Sequence, residues 1–146
     1  MRHAMRTRWS AAVLLSTMIA CGKGGDGEAL PSAPLSQTSW VLEDISGAGV
    51  VEPGRATLAF DEAGRASGKG SCNRFSGPVT ISGDRISFGP LMSTKMACVE
   101  EALTAQETKY LSALENAERY TVEGQTLRIF AKGGGEPLRF SRTTSP

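Results

Sequence analysis

Val79-Thr80-Ile81-Ser82-Gly83-Asp84-Arg85-Ile86-Ser87-Phe88 decides the fold class of this chain. Its apolar residues fall at alternate positions, 79 and 81, then 86 and 88, on either side of Gly83-Asp84. Period-two alternation broken by a glycine turn describes a β-hairpin. Tyr120-Thr121-Val122-Glu123-Gly124-Gln125-Thr126-Leu127-Arg128-Ile129-Phe130 repeats the scheme around Gly124. Upstream, Ser39–Ile45 alternates Trp40 and Leu42 and, after a polar pair, Ile45. Ala56–Phe60 then sets Ala56, Leu58 and Phe60 on one face before the turn Asp61-Glu62-Ala63-Gly64. Leu138–Arg142 supplies a last short strand after Gly133-Gly134-Gly135. One segment has another period: Val99, Leu103, Tyr110, Leu111 and Leu114 recur at helical spacing, with Glu100 and Glu101 suited to the positive end of the helix dipole. The expected fold is α+β, a curled, barrel-like antiparallel sheet of about seven or eight short strands covered by one α-helix. Trp40, Phe60, Phe88, Tyr110, Tyr120, Phe130 and Phe140 are expected to form the bulk of its core.

The N-terminus is of another kind. Arg2, Arg6 and Arg8 precede a short apolar run, Ala11–Ala20, which closes Met18-Ile19-Ala20-Cys21. A membrane-spanning helix needs about 20 apolar residues, and this run is half that length, so it reads as an export signal. A cysteine directly after a small residue resembles the bacterial lipobox, although Met18 stands where leucine is usual. The resemblance implies cleavage before Cys21 and lipidation of its thiol. The plainer alternative is ordinary secretory cleavage beside a stray cysteine. Residues 21–38, rich in Gly, Pro and Ser, read as a tether between anchor and domain. Gly22, where aspartate would signal inner-membrane retention, favours the outer membrane with the domain facing the periplasm.

Cleavage narrows the chemistry available. It removes His3, the one histidine, together with Trp9 and three arginines, leaving 13 basic against 15 acidic residues. Without an imidazole there is no Ser-His-Asp or Cys-His nucleophile, and no histidine-rich zinc site. The charge balance gives no footprint for nucleic acid, and no phosphate-binding glycine loop is present. No cofactor or metal is implied.

Two words remain, Gly70-Ser71-Cys72-Asn73-Arg74-Phe75-Ser76-Gly77 and Ser93-Thr94-Lys95-Met96-Ala97-Cys98. With Trp40, the Leu58-Ala59-Phe60-Asp61 turn and the helix carrying Glu107, Tyr110, Leu111 and Leu114, they resemble the META domain. That family includes HslJ-type bacterial envelope proteins linked to heat-inducible expression and novobiocin resistance. Ser71 stands where the family carries glycine. The resemblance spans about Thr38–Arg142 and places a META/HslJ-like domain at residues 39–143. It implies a small β-rich domain with a helix, often lipid-anchored, and offers no catalytic residues to transfer.

With Cys21 lipidated, Cys72 and Cys98 remain as an even pair in an exported domain, which suggests a disulfide. Two buried free thiols are the alternative, and the absence of a C-x-x-C spacing argues against a redox-active pair. Asn73 suits turn geometry, Arg74 is either a solvated turn residue or an anion contact, and Ser93 and Thr94 suit local backbone bonding ahead of the helix. Glu107 lies inside the apolar stripe, where a carboxylate is either paired or poorly solvated. Its candidate partners are the Ser93–Cys98 backbone, Lys95 or Arg74; the alternative is a ligand-facing acid of raised pKa. Asn73, Arg74, Lys95 and Glu107 therefore form the candidate polar site. The expected function is a non-enzymatic, monomeric envelope module, attached to the membrane by its lipid, with a protein or small-molecule partner and a role in stress or drug tolerance. Two rivals stand beside it: an inhibitor of a hydrolase, and an enzyme using Glu107 with a second carboxylate.

Overall fold

The computed structural model describes residues 34–144; the export signal, Cys21 and most of the tether lie outside the described residues. Nine strands and one helix follow in order: β1 (Thr38–Ile45), β2 (Thr57–Phe60), β3 (Arg65–Lys69), β4 (Arg74–Ser82), β5 (Arg85–Phe88), β6 (Met92–Ser93), α1 (Glu101–Glu115), β7 (Ala117–Glu123), β8 (Thr126–Ala131) and β9 (Leu138–Arg142). All pairings are antiparallel, and the sheet runs β3-β2-β1-β9-β8-β7-β5-β4 before β3 pairs with β4. The result is a closed eight-stranded barrel, which removes the free edges an open sheet would expose. The short β6 lies outside this ring, paired to β4 through Phe75–Ser93 and Ser76–Met92.

The two hairpins fold as their sequences dictate. Ser82 pairs with Arg85 and Glu123 with Thr126, so each loop has two residues. Gly83 and Gly124 lead those loops at φ +61° and +58°, the left-handed backbone that the first position of a type II′ turn requires.

The helix seals the barrel core through Tyr110. Its ring is fully buried, edge-on to Phe75 at 5.8 Å between centroids and 6.1 Å from Phe140. Its hydroxyl donates to the Thr57 carbonyl at 3.1 Å, and burial pushes its pKa well above the ordinary tyrosine value, so it remains a neutral donor. Leu114 joins the same cluster one turn on.

Several expectations are corrected. The helix starts at Glu101, not Val99, because Glu100 holds an extended backbone (φ −111°, ψ 133°) and Cys98 is tied elsewhere; Val99 is wholly exposed. Phe130 is not core: alternation with buried Leu127 and Ile129 turns it outward, where the Arg119 guanidinium lies over its ring at 5.2 Å. Phe75 takes a core place instead, and Leu35, in the stretch read as tether, is buried too.

Candidate functional site

The polar site is built around one carboxylate. Lys69 pairs with Arg74, leaving Gly70-Ser71-Cys72-Asn73 as a four-residue connection between β3 and β4, closed by a Gly70 N–H to Asn73 carbonyl bond of 2.8 Å. The backbone N–H groups of Ser71, Cys72 and Asn73 turn to one side and converge on a single oxygen, Oε2 of Glu107, at 2.9, 2.9 and 2.8 Å. Consecutive N–H groups arranged so form a concave anion site, and here the anion is the chain's own side chain. Oε1 of Glu107 accepts a fourth bond, 2.6 Å, from the Asn73 side-chain amide. Glu107 is 9% exposed. Burial raises its pKa, but the Asn73 backbone and side chain, then the Cys72 and Ser71 backbones, lower it further, and the net direction is below the ordinary value.

Gly70 makes this approach feasible. A Cβ built there would stand 2.5 Å from Glu107 Cγ and 2.7 Å from Oε2, inside van der Waals contact. No larger residue fits without displacing the carboxylate.

Asn73 extends the node. Its Oδ1 accepts from the Thr94 hydroxyl (2.9 Å) and the Met96 N–H (2.7 Å), and its Nδ2 donates to the Met96 carbonyl (3.1 Å) as well as to Glu107. All four bonds an amide side chain can make are therefore made. The Cys72–Cys98 disulfide fastens the same segment, with 5.7 Å between the two Cα atoms. On the far side, Gln106 donates to the Ser71 hydroxyl (2.9 Å) and accepts the Val51 N–H (2.5 Å). Neighbouring residues of α1 thus pin the 46–55 connection and the 70–73 turn, and that turn holds the 93–98 segment through Asn73 and the disulfide.

Of the candidate residues, the structure brings Asn73, Glu107, Cys72 and Cys98 together. Arg74 and Lys95 are exposed, and among the described residues no ion pair joins either to Glu107. The partner of Glu107 is the 71–73 backbone, not the 93–98 backbone, Lys95 or Arg74. Ser71, Gly70 and Gln106 escaped the sequence reading. The signal for Gln106 was its place three residues after Leu103 on the buried helical face.

Chemically, the node is a carboxylate held by backbone and amide donors. Ligand atoms of Cys72, Cys98 and Glu107 lie within 4.8 Å of one another, but the two sulfurs are bonded together and offer no thiolate to an ion. A shallow cleft of about 510 Å³ runs beside Glu107, bordered by Lys95, Met96, Leu111 and Glu115. Glu115 lies two helical turns on, roughly 12 Å along the axis.

Comparison with known proteins agrees with this fold. The chain belongs to the META domain family, which residues 33–145 match. An NMR structure of a protein from Burkholderia xenovorans is 30% identical, over 84% of this chain and 99% of that one, with a TM-score of 0.63. A second NMR structure is 24% identical, covering 73% of this chain and 90% of its own, at a TM-score of 0.59. The crystal structure of a DUF4847 family protein from Bacteroides vulgatus shares the fold at 14% identity, 77% and 96% coverage, and a TM-score of 0.55. No curated protein matches.

Proposed function

We propose that this is a lipid-anchored envelope protein whose META domain serves as a binding module and not as an enzyme. The observation that carries the non-enzymatic reading is the state of Glu107. The carboxylate accepts four hydrogen bonds, three on Oε2 and one on Oε1, all from the chain's own 71–73 turn. Its lowered pKa leaves it without a proton to give near neutral pH, and Oε2 is taken up by three backbone donors while Oε1 is held by the Asn73 amide. Anchoring rests on the Met18-Ile19-Ala20-Cys21 sequence, and among the described residues no helix is long and apolar enough to cross a membrane. The disulfide suits an oxidising compartment such as the periplasm. A role in envelope stress or drug tolerance follows from the family resemblance.

Cys21→Ser tests the anchor. The variant is expected to move from the membrane fraction to the soluble fraction and to lose palmitate label. A single acyl chain binds membranes only marginally, whereas several hold firmly, so the shift should be nearly complete. Undiminished membrane partition would mean that the domain itself grips the bilayer.

One observation favours the second reading, a proteinaceous inhibitor. The 92–99 segment is fastened by the disulfide and by Asn73, yet it displays Met92 (77% exposed), Met96 (61%) and Val99. A rigid apolar loop of this kind suits insertion into a partner's groove. Crosslinks from Met96 in intact envelopes would identify such a partner.

A further inference from the structure

Opposite the Glu107 node, the 45–51 connection stands away from α1 and leaves a cleft of about 930 Å³. Its walls are mainly apolar: Ile45, Val50 and Val51 on one side, Ala105 and Ala113 on the helix. The wall is held in place and not left to the ligand. Asp44 Oδ2 accepts the Gly47 N–H at 2.6 Å and Oδ1 the Gly49 N–H at 2.7 Å, while Gln106 holds the Val51 N–H. Asp44 is thereby turned into its own loop, and among the described residues no carboxylate lines the cleft. Among the described residues, the charged ones that line it are Lys109 and Lys132, both exposed. A preformed, largely apolar cavity of up to about 1,000 Å³ with a few polar groups is the usual form of a small-molecule site. Two cations in a lining that holds no acid among the described residues, with Glu136 set behind the loop beside Gly47, favour an anionic ligand.

We infer that this cleft binds a free, small amphipathic anion, its apolar body against Val50, Val51 and Ala105 and its carboxylate, or an equivalent group, between Lys109 and Lys132. The inference deepens the binding-module reading and rests on it. The lysines supply selectivity for charge, and the walls supply affinity through the apolar area removed from water. Gln106 links the cleft wall to Ser71 and so to the turn that holds Glu107, which places the ligand one hydrogen-bonded step from the domain's central node.

Octanoate, below its micelle concentration, is the probe. It is titrated into the ¹⁵N-labelled chain beginning at residue 21 and carrying Cys21→Ser. Saturable shifts are expected at the amides of Ala48, Val51, Ala105 and Ala131, with octylammonium binding at least about tenfold more weakly, the discrimination of one favourable charge contact. The double variant Lys109→Gln/Lys132→Gln should weaken octanoate about tenfold or more. Both lysines are exposed, so its spectrum should otherwise be that of the parent. Equal affinity for octylammonium, undiminished octanoate binding by the double variant, or absence of saturation overturns the inference. Lysine-dependent binding to phosphatidylglycerol vesicles that octanoate does not compete with also overturns it, since the lysines would then serve a lipid surface. The anchor and the Glu107 reading would survive any of these results, because Cys21→Ser fractionation and Glu107 titration test them separately.

Discussion

Glu107→Leu is expected to destabilise the domain by about 3–5 kcal/mol, although leucine suits an apolar helical stripe better by composition. The substitution strands the N–H groups of Ser71, Cys72 and Asn73 and the Asn73 amide, and each buried unpaired donor costs about 1–3 kcal/mol. Water entering from the adjoining cleft offsets part of that loss. Glu107→Gln is expected to fall between, at about 1–3 kcal/mol. Its oxygen can still take the three backbone donors, but its NH₂ must then face the Asn73 NH₂. Asn73 cannot turn over to help, because its Oδ1 already accepts from Thr94 and Met96. Denaturant midpoints should therefore rank wild type above Gln above Leu. A Leu variant as stable as wild type would contradict the structural role. The pH dependence has a definite sign. With its folded pKa below the unfolded value, Glu107 contributes stability in full above the unfolded pKa and loses it as pH falls through the folded one. Wild type should lose its advantage over Glu107→Gln on acidification.

Cys72→Ser is expected to cost about 2–5 kcal/mol, the range for loss of a native disulfide in a small exported domain. The bridge spans 26 residues of sequence, a loop whose closure restricts the unfolded chain by roughly 3–4 kcal/mol. The Glu107 bond to the residue 72 backbone needs no sulfur, so the loss should come from the missing crosslink and the looser 93–98 segment. Intact mass should show the wild-type domain about two hydrogens lighter than its reduced form. Full alkylation of both cysteines in unreduced protein would contradict the bridge.

The legible parts of the fold were those in which a local pattern repeats. Both hairpins follow from alternation around Gly83 and Gly124, and the helix from Leu103, Tyr110 and Leu114. β3 was hidden because Ala66 is its only buried apolar residue, and β6 because two residues carry no period. Val99 matched the helical spacing by chance; the extended backbone of Glu100, two residues after the crosslinked Cys98, stops the helix short of it. At the site, the sequence marked Glu107 as a misfit in an apolar stripe, but its partner could not be read. Backbone N–H groups carry no residue signature, and charged Lys95 and Arg74 were the visible candidates. Gly70 shows the same difficulty: its role is the space it leaves for a side chain 37 positions away.

The central claim is that Glu107 is a held anion and not a working acid. Titration of its ¹³C side-chain carboxyl resonance by NMR tests this most directly, with Glu107→Gln used to assign the signal. The midpoint is expected below the ordinary glutamate value, with the carboxylate form present throughout the neutral range. A midpoint raised toward neutrality would contradict it, and would return Glu107 to the role of a functional acid.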